Sequence, residues 1–148
     1  MSPRRASRVH VDPGELPDAP TRLIERAVRA ALEHEGRPGL EVSVALLGDD
    51  DMRALNHRYL GKDATTDVLA FGLGEGDELV GDVYLGFEQA RRQADELGVA
   101  LEEELARLAI HGALHVLGHD HPEGEERERS AMFALQERLL GEVLARRS

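Results

Sequence analysis

The chain contains no cysteine. Disulfide cross-links and thiolate metal sites are therefore excluded, and the absence fits a reducing compartment. Nor does any run approach the roughly 18 to 20 apolar residues of a membrane-spanning helix, and the basic N-terminus is not followed by the apolar core of a secretory signal. These absences predict a soluble, cytoplasmic protein with no membrane association. Positive charge is scarce as well. With 18 basic residues against 29 acidic ones the formal net charge is −11, which argues against a protein that coats nucleic acid through a broad basic surface but leaves room for a local phosphate-binding rim. A chain of 148 residues is long enough to bury a core without cross-links, so residues 1–148 are read as one domain with a frayed start over about 1–6. No internal repeat is visible.

What is present is a concentration of histidine. Four of the seven histidines fall in one stretch, His111-Gly-Ala-Leu-His115-Val-Leu-Gly118-His119-Asp120-His121. On a helix, His111 and His115 project from one face about one turn apart and can share a metal ion. Gly118 supplies a residue able to take positive φ, so that the chain stops its helix and turns a third histidine, His121, toward the first two. The spacing His-x-x-x-His-x-x-Gly-x-x-His is that of the zinc ligands in metzincin peptidases. Gly112 stands where those enzymes place the glutamate that serves as general base. The three-nitrogen cradle is therefore kept while the peptidase base is missing. His111, His115 and His121 are the expected metal ligands, with zinc the expected ion in a histidine-rich open site. Asp120 is a candidate for orienting a ligand histidine or for assisting water activation, and His119 for facing solvent or substrate; a plain turn role is the alternative for each.

Along the chain, residues 7–12 alternate apolar and polar and suit a first strand. Leu23, Ile24, Val28, Ala31 and Leu32 recur at helical spacing after a cap near Asp18, and the helix ends before Gly36. Residues 40–47 alternate again, and Asp49 to Asp51 suit the N-terminus of a helix reaching about Tyr59, in a capping rather than a metal-binding role. A polar loop over 61–67 enters a short strand at Val68 to Phe71. Gly72 to Asp77 reads as a connector or hairpin arm, Leu79 to Phe87 as a strand, and 88–97 as a helix stopped by Gly98. A long helix from about Leu101 delivers His111 and His115. After a turn over 119–123, a final amphipathic helix over 124–145 turns Met132, Leu135, Leu139 and Val143 inward. Four strands among about five helices define an α+β domain. Arg53, Arg58, Lys62, Arg91, Arg92 and Arg107 are candidates for a phosphate-binding rim, with solvated helix faces the commoner fate of such residues.

Three blocks together carry a family resemblance: Leu55-Asn56 through Lys62-Asp63 to Thr66-Asp67-Val68-Leu69-Ala70-Phe71, then Leu79-Val-Gly81-Asp82-Val, then the histidine block. In their order and separation the chain resembles the YbeY family of bacterial rRNA maturation factors, from about Glu41 to Leu140. The resemblance implies a zincin-like α+β sandwich with a small mixed sheet, zinc held by His111, His115 and His121, and metal-dependent, single-strand-specific endoribonuclease activity. It further implies a role in maturing the 3′ end of small-subunit rRNA and in ribosome quality control, with RNA and the ribosome or its assembly proteins as partners. The chain departs from the family at Leu60, where an arginine thought to handle RNA is usual. Arg58 and Lys62 are the nearby cations able to substitute for it electrostatically, and with Asp120 they form the candidate catalytic set. Two further readings remain: a zincin-like hydrolase of another bond, and a ribosome-assembly factor whose metal is structural.

Overall fold

A computed structural model describes residues 8–119 and 126–146. Ten elements follow in order: β1 (Arg8–Asp12), α1 (Thr21–His34), β2 (Glu41–Leu47), α2 (Asp49–Leu60), β3 (Val68–Leu73), a 3-10 turn (Gly76–Glu78), β4 (Val80–Gly86), α3 (Phe87–Leu97), α4 (Leu101–Val116) and α5 (Glu126–Ala145). The expected α+β class with four strands and five helices is present. The expected frayed start and the turn over 120–123 lie outside the described residues.

The sheet order is β1-β2-β4-β3. β1 runs parallel to β2 and β2 parallel to β4, whereas β3 returns antiparallel on β4, with Phe71 opposite Asp82 and Gly72 opposite Gly81. The sheet is thus mixed, and β3 is its antiparallel edge. Period-two alternation decides which face is buried. Val42, Val44, Leu46, Val83 and Leu85 point to one side and are almost completely buried, together with Ile24, Val28 and Leu32 of α1 and Leu105, Ile110 and Leu114 of α4. Burying a side chain of this size contributes roughly 1.5–3 kcal/mol, so this single core under α1 and α4 dominates the fold. The other face carries His10, Ser43, Asp82 and Tyr84, and α2 covers only its β3–β4 end. There, a Cβ on Gly86 would meet Met52 at 3.2 Å, and the Tyr59 ring lies 5.1 Å from that of Phe71.

Two helix starts differ from expectation. Asp18 does not cap α1; it takes a φ of 53°, Pro20 occupies the cap position, and no side chain bonds there. Asp49 to Asp51 are not caps either, since they form the first turn of α2 behind Gly48. The exposed N–H of Asp49 is satisfied from another helix, by Glu88 Oε1 of α3 at 2.9 Å. The Asp49 carboxylate accepts two hydrogen bonds from Arg92, each 2.9 Å long, and this contact, more than the nearby charges, holds the Asp49 carboxyl below its usual range. The aspartates complement the helix dipole in the expected place, but the cap itself is tertiary.

Candidate metal centre

α4 brings the histidines to the sheet, and glycine sets how closely it packs. A Cβ on Gly112 would lie 2.6 Å from Val83 Cγ1 and 3.3 Å from Val68 Cγ2. One turn later the relation reverses, and a Cβ on Gly81 of β4 would meet Val116 Cγ1 at 2.7 Å. Helix and sheet therefore touch backbone to side chain at two levels, and the position that carries a catalytic glutamate in metzincins here faces a valine wall. The substitution seen in the sequence has a packing cause.

α4 carries Glu102, Glu103 and Glu104 in its first turn and His115 in its last, matching the macrodipole at both ends. It stops as the sequence predicts. Gly118 has a φ of 100°, its N–H bonds to the His115 carbonyl at 3.0 Å, and the His119 N–H bonds to the Leu114 carbonyl at 2.9 Å. These two bonds define a Schellman motif, in which a glycine in left-handed conformation closes the last turn and redirects the chain.

His111 and His115 are both half-buried, and their Nε2 atoms lie 2.9 Å apart. His111 Nδ1 is 2.7 Å from Gln136 Oε1. Gln136 is on α5, 5% exposed, and its Nε2 donates to Glu137 Oε2 at 3.2 Å. That second bond fixes the amide orientation, so the oxygen faces His111 and the imidazole donates from Nδ1. In that tautomer His111 Nε2 is the unprotonated nitrogen, and it faces His115 Nε2. Glu137 is in turn anchored by Arg107 Nε at 2.9 Å. Burial disfavours the Arg107 charge, but hydrogen bonds to Glu137 and Glu104 outweigh it and keep the guanidinium above its ordinary pKa. The result is a chain of contacts from Arg107 through Glu137 and Gln136 to His111.

This arrangement fits a metal ion of zinc's size and softness. Two imidazole nitrogens on a tetrahedral zinc at 2.0–2.1 Å stand about 3.3 Å apart, so opening the pair by a few tenths of an ångström suffices. A carbonyl oxygen on the opposite ring nitrogen is the usual partner of a ligating histidine, since it fixes tautomer and ring plane. Among the described residues no group of three candidate ligands converges. The expected third ligand, His121, and the expected helper Asp120 lie outside the described residues.

The remaining candidates are dispersed. His119 pairs with Glu35 at the C-terminal end of α1, with its side chain 31% exposed. Arg58 and Lys62 sit at the end of α2, on the far face of β3 from α4, and no hydrogen bond or ion pair joins them to His111 or His115. Two members of the possible phosphate rim are committed elsewhere: Arg92 to Asp49, and Arg107 to Glu104 and Glu137. Sequence reasoning missed Gln136 and Glu35. Gln136 carried a signal, because it lies four residues after Met132 and three before Leu139 on the apolar stripe of α5, where a polar residue needs a partner.

A histidine pair on a helix laid across a mixed sheet, beside an antiparallel edge strand, defines an α+β domain of the zincin-like class. The chain belongs to the YbeY endoribonuclease family, whose model matches residues 12–144 under the description Endoribonuclease YbeY. It is 37% identical over 127 residues to the Endoribonuclease YbeY of Persephonella marina, covering 82% of each chain. To that of Aquifex aeolicus it is 45% identical over 109 residues, covering 72% of this chain and 73% of the relative. The solution structure of TM1509 from Thermotoga maritima superposes with a TM-score of 0.64 at 29% identity, covering 93% of this chain and 89% of that one.

Proposed function

We propose that the protein is a cytoplasmic, zinc-dependent, single-strand-specific endoribonuclease that acts on rRNA, with His111, His115 and His121 holding the ion. The observation that carries this reading is the pair of Nε2 atoms 2.9 Å apart with His111 Nδ1 2.7 Å from Gln136 Oε1. Family membership supplies the substrate class. Maturation of the small-subunit 3′ end and contact with ribosome-assembly proteins belong to the same proposal. No described helix is long and apolar enough to cross a membrane.

Bound there, a zinc ion supplies Lewis-acid polarisation of a phosphoryl oxygen and a water of lowered pKa. The chain's own contribution is positional. Gln136 holds His111 in one tautomer, Glu137 and Arg107 hold Gln136, and the Schellman turn after Leu117 sends the chain on toward Asp120 and His121. Asp120 is the proposed proton acceptor near the site, because the helix provides none at Gly112. Arg58 and Lys62 are proposed to meet phosphate away from the reacting centre. The packing of Gly112 on Val83 disfavours the peptidase alternative, since a metzincin-like base on α4 has no space.

Purified protein is expected to cut unstructured RNA with zinc or manganese added and to stop when a chelator is present. RNA left intact under every metal condition contradicts the reading. The orienting role of Gln136 has its own test. Gln136→Leu removes the acceptor while roughly keeping volume, and it is expected to weaken zinc binding by about 10- to 100-fold, read by competition with a chromogenic chelator. Unchanged affinity removes Gln136 from the site.

A further inference from the structure

The chain has only two tyrosines and three phenylalanines, and three of these five rings meet on the face of the sheet opposite α4. The Tyr59 and Phe71 rings are 5.1 Å apart at 48°, and Phe71 and Tyr84 are 6.2 Å apart at 65°. Tyr59 is 55% exposed and its neighbour Leu60 51% exposed, so the cluster is open at its α2 end. The Arg58 guanidinium lies 5.5 Å from the centre of the Tyr59 ring. Whereas Arg92 and Arg107 are neutralised by carboxylates, neither Arg58 nor Lys62 has a carboxylate partner among the described residues. In a chain of net charge −11, two unneutralised cations beside an exposed ring mark a place where negative charge is accepted. Asp82, opposite Phe71 in the register, repels phosphate from the centre of the sheet and confines it to the α2 side.

We propose that Tyr59 and Phe71 form a stacking site for an unpaired nucleobase of the RNA, with Arg58 and Lys62 receiving the adjoining phosphates. A flat ring pair rimmed by cations suits single strands, because their bases are free to leave the stack, and base on aromatic stacking is tolerant of sequence. The location suits the histidine pair as well. On β3, Val68 faces Gly112 of α4 while Phe71 faces Tyr59, three residues or about 10 Å further along the strand. A single strand held on one face of β3 has only this edge strand to round before it reaches the other. Duplex RNA presents no free base and gains nothing from the rings.

The inference rests on the RNA-cleaving reading for its choice of ligand, and its test is kept separate from catalysis. Binding of a fluorescent ten-nucleotide 2′-O-methyl phosphorothioate oligoadenylate and of a duplex of the same chemistry to the zinc-loaded protein is measured by anisotropy, the modified backbone resisting cleavage. Tyr59→Leu keeps an apolar contact to Phe71 but removes the ring. It is expected to weaken oligoadenylate binding about tenfold or more, to leave duplex binding unchanged and to leave the melting temperature near that of the wild type. Tyr59→Phe is expected to bind like the wild type. Equal oligoadenylate affinity for Tyr59→Leu and wild type, an equal loss for duplex and single strand, or no binding by the wild type overturns the proposal; the first of these would leave the face to a protein partner. Oligoadenylate binding that depends on Tyr59 in a protein that cuts no RNA would sustain the stacking site and refute the nuclease reading instead.

Discussion

His115→Ala is expected to lose its zinc. The residue contributes one of the two nitrogens that the fold itself brings together, 2.9 Å from His111 Nε2, and no other described side chain stands ready to replace it. Loss of an orienting partner alone weakens metal affinity by about 10- to 100-fold, so loss of a ligand is expected to exceed about a hundredfold, leaving little zinc after dialysis against a weak chelator. RNA cleavage is expected to fall with the metal. A lower melting temperature should accompany it, because an ion held by His111, His115 and the proposed ligand His121 would tie α4 to the chain that follows it, and binding to the folded state alone stabilises that state. Added zinc is expected to raise the melting temperature of the wild type and not that of the variant. Wild-type zinc content in His115→Ala would withdraw the ligand assignment.

Restoring the metzincin glutamate is expected to damage the fold rather than create a peptidase. The first atom of any side chain at position 112 collides with Val83 Cγ1 at 2.6 Å, and Val83 is 1% exposed. Gly112→Ala already overpacks the helix and sheet contact and is expected to cost about 1–3 kcal/mol, a fall in melting temperature of roughly 3 to 10 °C for a domain of this size. Gly112→Glu adds a carboxylate pushed into an apolar wall without a partner, and it is expected to be mostly insoluble or unfolded. Val83→Ala in the Gly112→Ala background should recover part of the loss, since the two side chains compete for one space. A Gly112→Glu protein that melts with the wild type would show that the close approach at this level is not a constraint.

The strands were legible because Val42, Val44 and Leu46 alternate with polar or small neighbours, and α1 because Leu23, Ile24, Val28 and Leu32 repeat at helical spacing. The end of α4 was legible because one residue, Gly118, supplies the φ that the turn requires. The N-terminal cap of α2 was not. Its acceptor, Glu88, is 39 positions distant, and no local pattern names such a partner. The candidate metal centre divides the same way: His111 and His115 are set by spacing on one helix, whereas Gln136 reaches His111 only when α5 packs on α4. Gly112 was visible as a departure from a motif, but its reason, Val83 on a strand nearly thirty residues earlier, is tertiary. The partners of the rim arginines were illegible for a similar reason. Arg92 and Arg107 look like free cations on helix surfaces until folding sets Asp49, Glu104 and Glu137 against them.

The proposed site needs three imidazoles on one ion, two of them on α4 and the third from His121. X-ray absorption at the zinc edge of the loaded protein measures this directly. The predicted first shell is nitrogen and oxygen at about 2.0–2.1 Å with the outer-shell signature of three imidazoles, falling to two in His121→Ala. A shell without imidazole scattering, or one that His121→Ala leaves unchanged, would contradict it.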